Sequence, residues 1–333
     1  CAVSRMRLLA IVLLWCGVAA AFWQVLGGRA QPLRRTRLLL GTVVEITVYD
    51  QRPQRFVEAV ESAFDEMARL EALTSFHRTG SDVLRLSRAV GNVELAPETL
   101  QILREGLQVS QASGGAFDMT LGRLQKLWGF GSGHPRLPAS DEIEAALADS
   151  GSGALTVKNG KVIKHSPAWI DLGGIAKGYI IDRAIAVLKQ AGVECAAVNA
   201  GGDLRLIGRR AAPWRIGIRH PRKPEELLGT LVLSEPLAVV TSGDYERFFE
   251  QNGRRYHHLF DPFTGMPARR CQSVTVVSNR AALADALATA VFVLGPERGL
   301  ALLARYPRTW GLIVAADGSS LVSPGLRERV TWP

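Results

Sequence analysis

The stretch Asp171-Leu172-Gly173-Gly174-Ile175-Ala176-Lys177-Gly178-Tyr179 decides how this chain is read. It follows a short apolar run, Ala168-Trp169-Ile170, and leads into residues at helical spacing, with Ile181, Ala184, Ile185 and Leu188 on one face. The reading is strand, tight turn, helix. Paired glycines let the backbone turn sharply and let a ligand approach the main chain. A helix start leaves unpaired N–H groups and a partial positive charge, which suit a phosphate, and Lys177 adds a full charge in that first turn. Asp171 is placed to accept a hydrogen bond from a ligand or to join a metal site. The spacing is not the G-x-G-x-x-G dinucleotide fingerprint. Taken alone, the same residues would serve as a plain connection with a solvated lysine.

Similar turns recur along the chain. Pro97 opens a helix with Leu100, Leu103 and Leu107 on one face, and Ser113-Gly114-Gly115 ends it. Ala116-Phe117-Asp118 follows at once, an aromatic and an acid suited to a flat ring. The apolar run from Ala196 ends in Asn199-Ala200-Gly201-Gly202-Asp203, and Thr241-Ser242-Gly243-Asp244-Tyr245 reads as a polar turn. His257 and His258 precede Leu259-Phe260-Asp261-Pro262; adjacent strand residues point to opposite faces, so at most one of the two faces a given site. In the helix expected over Ala281–Leu294, Asp285 and Thr289 lie four residues apart and so share a face. Buried oxygens among Ala, Leu, Val and Phe need a partner. A hard cation such as Mg²⁺ is one answer; the alternatives are that Thr289 bonds back to its own helix and Asp285 caps a neighbour.

The remaining elements frame these turns. Leu40-Gly41-Thr42 leads into a β-branched strand over 43–49, preceded by a basic, polar connector over 31–37. Pro53 starts a helix whose stripe of Phe56, Val60, Phe64, Met67 and Leu70 faces a core, and Thr74-Ser75-Phe76-His77-Arg78 forms the loop after it. Residues 129–139 read as a surface loop, and Ser140 as the cap of a short helix. Asn159-Gly160 marks a hairpin. Further strands are expected over 214–218, 228–233, 237–241 and 273–277, with a last one over 309–315.

The 333 residues carry a net charge of +9 and are 47% hydrophobic, enough for a sizeable core and suited to acidic partners such as nucleotides or anionic lipid. No nucleic-acid module is present, so nucleic acid is not an expected partner. Arg5 and Arg7 precede an uncharged apolar run over 8–26, about as long as the ~17–25 residues that span a bilayer. Ala19-Ala20-Ala21 offers a cleavage site, so residues 1–30 read as a signal peptide or an inner-membrane anchor. Either places residues 31–333 outside the cytoplasm, in the periplasm. Cys195 and Cys271, the only cysteines beyond that segment, could pair in an oxidising compartment but read rather as small buried hydrophobes.

In order, these motifs resemble the ApbE family of FAD:protein FMN transferases. The matching residues are Gly41-Thr42, Gly115 to Asp118, Asp171 to Gly178, Asn199 to Asp203, Thr241 to Tyr245, His257 to Gly265, and Asp285 with Thr289. The resemblance implies an α+β fold of two subdomains, with mainly antiparallel sheets, flanking helices and FAD in the cleft between them. It implies transfer of FMN from FAD to a threonine or serine of an exported or membrane-associated flavoprotein subunit, with release of AMP. Some relatives instead hydrolyse FAD to FMN and AMP, and a non-catalytic flavin-binding protein is a third reading. By resemblance, Leu40, Phe76, Ala116, Phe117, Asp118, Asp171, Lys177 and Leu259 contact FAD. Gly174, Asp285 and Thr289 bind Mg²⁺, and His258, or else His257, lies by the pyrophosphate. Leu40 and Phe76 stand where the family often has Met and Tyr.

Overall fold

The computed structural model describes residues 31–131, 133–158 and 160–333. Residues 1–30, expected to form a signal peptide or anchor, lie outside the described residues, as do Ser132 and Asn159. No helix among the described residues is long and apolar enough to cross a membrane.

In chain order the strands and helices are β1 (Leu33–Leu39), β2 (Thr42–Val48), α1 (Val57–Thr74), α2 (Asp82–Arg88), β3 (Gly91–Val93), α3 (Pro97–Ala112), α4 (Gly122–Trp128) and α5 (Ser140–Leu147). There follow β4 (Leu155–Lys158), β5 (Lys161–Lys164), α6 (Ala176–Gln190), β6 (Ala196–Ala200), β7 (Asp203–Ile207), β8 (Trp214–Arg219), β9 (Leu227–Leu233) and β10 (Ala238–Gly243). The chain ends with β11 (Phe248–Gln251), β12 (Arg254–His257), β13 (Cys271–Ser278), α7 (Ala281–Leu294), α8 (Pro296–Leu303), β14 (Trp310–Ala315), β15 (Ser320–Val322) and β16 (Val330–Thr331).

One eight-stranded sheet, ordered β1-β2-β6-β7-β10-β13-β14-β15, is antiparallel throughout. Its alternation sends side chains to two cores. Val240, Val274, Val276 and Ile313 join the main cluster beneath α1, α6 and α7. Val239, Val277, Leu312 and Val314 face the other way, onto a second cluster with Trp214, Ile218, Leu231 and Leu233 of the β16-β9-β8 sheet. A third, aromatic cluster gathers Trp128, Phe130, Phe249, Tyr256 and Phe260 from the α4 and β11–β12 region. The fold is therefore α+β with mainly antiparallel sheets, and the ligand-sized cleft runs between the main body and this aromatic lobe.

Two aspartates lock α6 to α7. Neither helix has a capping side chain at its own start. Instead Asp182 of α6 accepts the N–H groups of Ala281 and Ala282, each at 3.0 Å, while Asp285 of α7 accepts the N–H of Gly178 at 2.9 Å. Each helix caps the other. Gly178 permits the approach: a Cβ there would lie 2.3 Å from the Ala281 carbonyl oxygen and 2.8 Å from the Ala282 nitrogen.

Several expectations need correction. The supposed connector over 31–37 is mostly strand β1, paired with β2 from Leu33↔Val48 to Leu39↔Thr42. As an edge strand it buries only Leu33 fully and carries Arg34, Arg35 and Arg37, so its sequence shows no apolar alternation. The run over 168–170 is no strand. It makes a single parallel bridge, Leu121↔Trp169, and is pinned by Gly122 N–H to Trp169 O (2.8 Å), Ile170 N–H to Ser87 Oγ (3.0 Å) and Asp171 N–H to Met119 O (2.7 Å). Thr241 to Gly243 belong to β10, and the turn begins at Asp244. Ser140 is the first helical residue of α5, and Ala139 is the cap position, its N–H held by Glu142 at 2.9 Å. The strand over 309–315 is not the last, because β15 and β16 follow it. Cys195 and Cys271 are free thiols, the first only half-buried.

Because the contact at Gly178 is backbone against backbone, neither side can yield without moving a helix. Gly178→Ala is expected to lower the free energy of unfolding by about 1–3 kcal/mol, read as a lower urea midpoint at unchanged slope.

Candidate active site

The cleft encloses about 1110 Å³. Leu40, Phe76, Ala116, Phe117, Asp118, Asp171, Gly174, Lys177, His258, Leu259, Asp285 and Thr289 all line it, whereas His257 does not. The lining residues come from six separate places in the chain: the β1–β2 turn, the loop after α1, the turn after α3, the approach to α6, the exit of β12, and α7.

At the cleft floor, Gly174 meets α7. A Cβ on Gly174 would lie 3.1 Å from Thr289 Oγ1 and 3.1 Å from the Phe117 ring, so any larger residue would push both side chains aside by a few tenths of an ångström. Asp285 and Thr289 share the face of α7 that looks into the cleft, as their spacing predicts. Thr289 does not bond back to its helix among the described residues, whereas Asp285 does cap a neighbour, through Gly178. Lys177 pairs with Asp203, Nζ to Oδ2 at 2.5 Å, and Asp203 Oδ1 accepts the N–H of Thr241 at 3.0 Å. Burial works against the Lys177 charge, but Asp203 and Asp285 outweigh it and hold its pKa above the ordinary value. Burial, reinforced by repulsion from Asp203, pushes the Asp285 carboxyl up.

The expected row of free N–H groups at the helix start is largely used up. Ala176 N–H goes to Leu172 O at 2.8 Å and Gly178 N–H to Asp285, which leaves the N–H of Lys177. Positive charge at this floor thus comes chiefly from the Lys177 ammonium.

The two histidines separate where β12 ends, His257 as its last residue and His258 just beyond it. His257 is buried, its Nε2 2.8 Å from the Ala268 carbonyl and its ring edge-on to Phe292. His258 faces the cleft, with Nδ1 3.3 Å from the Arg247 carbonyl. Burial, with Arg247 and His257 adding, pushes its pKa down to about 3, so the ring is neutral. With Nδ1 donating to that carbonyl, Nε2 keeps a free lone pair. Asp171 accepts the Gly173 N–H at 2.8 Å, and Asp118 accepts from Thr120 N–H and Oγ1 at 2.8 and 2.6 Å; burial raises both carboxyls. Phe76 packs over Gly122, its ring 6.0 Å from that of Trp169.

Residues 40–313 match the ApbE family. The FAD:protein FMN transferase of Treponema pallidum is 33% identical over 97% of this chain and 95% of its own length. The chain belongs to the ApbE family. The FAD:protein FMN transferase of Vibrio cholerae is 33% identical over 86% of this chain and 89% of its own. Among solved structures, the ApbE protein of Thermotoga maritima superposes with a TM-score of 0.82 at 35% identity, over 90% of this chain and 99% of that one. The flavin transferase ApbE of V. cholerae gives 0.80 at 28% identity, over 90% and 99%.

In this ApbE chain, sequence reasoning overlooked part of the site. Asp203 stood in a quoted glycine–acid turn, yet nothing nearby in sequence shows that its carboxylate meets Lys177. Arg247, which lines the cleft and acts electrostatically on Asp171 and His258, belongs to no motif. His77, Gln125 and Trp169 line the cleft as well.

Asp203 is buried and Lys177 is its only ion-pair partner among the described residues. Lys177→Met is therefore expected to cost about 3 kcal/mol of stability by stranding that carboxylate, and adding Asp203→Asn recovers most of the loss, both read by urea unfolding of the ligand-free protein.

Proposed function

We propose that this chain transfers FMN from FAD to a threonine or serine hydroxyl of a protein, forming a phosphoester and releasing AMP. The observation that carries the reading is charge at the cleft floor: two carboxylates, Asp203 and Asp285, stand beside one ammonium, Lys177. That floor repels a pyrophosphate unless a cation comes with it. The names of the T. pallidum and V. cholerae relatives support the same reaction.

The residues at the floor fit Mg²⁺. No group of three His, Cys, Asp or Glu able to hold a metal occurs among the described residues. The donors are instead the Asp285 carboxylate, the Thr289 hydroxyl and the Gly174 carbonyl, an all-oxygen set suited to a hard cation whose remaining positions go to water and phosphate. Bound there, Mg²⁺ would offset the charge that builds on the pyrophosphate oxygens.

The protein groups have separate tasks. Lys177, oriented by Asp203, presents an ammonium to the pyrophosphate. Phe76, Phe117 and Leu259 supply apolar walls for the rings of FAD, and Asp118 and Asp171 supply acceptors. At Phe76 the ring of the usual Tyr is kept without its hydroxyl, so recognition there is by packing. The hydroxyl proton passes to His258, whose Nε2 is free, or to the Asp285 carboxylate as the acceptor oxygen bonds to the FMN phosphorus. The bond from that phosphorus to the bridging oxygen breaks, and AMP departs with that oxygen. The acceptor is an exported or membrane-associated flavoprotein subunit, a reading supported by the basic-then-apolar leader sequence.

Asp285→Asn keeps an oxygen for the Gly178 N–H but removes the charge. It is expected to fold, yet to lose about 10²–10³-fold in AMP release from FAD. Chelation of divalent cations abolishes activity of the unmodified protein, and added Mg²⁺ restores it. Flavin fluorescence that survives denaturation on a co-expressed acceptor identifies transfer; AMP release without it identifies FAD hydrolysis.

A further inference from the structure

Strand β10 leaves part of its edge open inside the cleft. Its ladder to β13 runs through Val240↔Val276 and Ser242↔Val274, and continues as Asp244 N–H to Gln272 O at 3.1 Å. In an antiparallel strand the intervening residues direct both N–H and C=O to the opposite side. Here those residues are Thr241 and Gly243, and their side is that of β7. But β7 pairs with β10 only at Ala238↔Arg205 and Val239↔Leu204, because it starts at Asp203, directly after the Gly201-Gly202 turn. The Asp203 side chain takes the Thr241 N–H. The Thr241 carbonyl and both main-chain groups of Gly243 have no hydrogen-bond partner among the described residues, and Thr241, Ser242 and Gly243 all line the cleft.

Unpaired strand groups are costly where buried, and Gly243 is buried. Such an edge is also a template for another strand. Its position matters: the carboxylate that holds Thr241 N–H also holds the Lys177 ammonium, so the edge lies one side chain from the reacting end of the cleft. The cleft volume of about 1110 Å³ exceeds the ~300–1,000 Å³ typical of a site for one small ligand. Tyr245 folds back over Gly243, where a Cβ would come 2.5 Å from its ring, so the strand face there is closed.

We propose that the acceptor polypeptide docks by adding an extended strand along the Thr241–Gly243 edge of β10, which carries its hydroxyl to the Lys177 side of the cleft. The proposal rests on the FMN-transfer reading above. Recognition is then mainly by main chain, and alternate acceptor side chains face the cleft floor and its mouth.

The test uses short synthetic peptides, each with a single central threonine, incubated with the full protein, FAD and Mg²⁺. AMP release is followed separately without peptide. A peptide that accepts flavin is then N-methylated one residue at a time. Methylation at every second residue around the threonine is expected to raise KM about ten-fold by removing an N–H···O bond to the edge, while the intervening positions tolerate it. Loss without alternation, or tolerance throughout, overturns the proposal. So does flavin transfer to a co-expressed protein acceptor but to no peptide, because strand addition needs only a short extended segment. Flavin on neither the protein acceptor nor any peptide overturns the transferase reading itself, and the docking with it.

Discussion

Two helix starts that cap each other with aspartates hold this structure and its cleft together. A helix leaves its first N–H groups unpaired, and inside a protein those groups need acceptors. In α6 and α7 the acceptor comes from the opposite helix, so neither can shift without uncapping both. The glycine at position 178 sets how close they come. Asp285 therefore reaches the cleft already fixed by a structural duty. Thr289, one turn further along α7, and Gly174, just before α6, are fixed by the same contact. The oxygens of these three residues are thus held as one rigid group, which the proposed metal site needs if its geometry is to survive ligand binding.

The two caps differ in electrostatic company. Asp182 has Arg205 at 3.3 Å, and the pair lies largely within the protein. Asp285 has no cation of its own, because the nearby Lys177 is paired with Asp203. Burial raises both carboxyls, but only Asp285 meets added repulsion from a second carboxylate. An uncompensated buried carboxylate is unstable against anything that brings positive charge. The fold supplies the aspartate for its own architecture and leaves its charge open to the cleft.

The parts of the site legible from the sequence are those fixed by local rules. Glycine beside acid marks a turn with close main-chain approach, spacing of four puts Asp285 and Thr289 on one face, and strand alternation leaves one histidine for the cleft. What was illegible depends on partners far away in sequence. Strand β1 reads as a basic connector because an edge strand buries one side chain and advertises its charges. The run over 168–170 is apolar enough for a strand, but its hydrogen bonds go to Ser87, Met119 and Gly122, which no local pattern reveals. The helix start at Ala176 promises free N–H groups, but the Leu172 carbonyl takes one and Asp285 of α7 another. Thr241 to Gly243 read as a turn because they carry small polar residues, when in fact small residues are what a strand needs beneath Tyr245 and beside Asp203.

Leu40 shows how such long-range demands override a local preference. The β1–β2 connection has two residues, Leu40 and Gly41, with φ of 58° and 68°, the turn that matches strand twist and favours Asn-Gly. Leucine in the left-handed region costs about 1–2 kcal/mol relative to its ordinary conformation. The cost is met in two ways. Glu71 of α1 accepts the Leu40 N–H at 2.8 Å, which ties the turn to the helix, and the side chain lines the cleft and packs against the main core. An asparagine would relax the backbone but place a polar amide on that wall. The strain therefore belongs to the cleft: the turn keeps an unfavourable residue because the wall requires an apolar one.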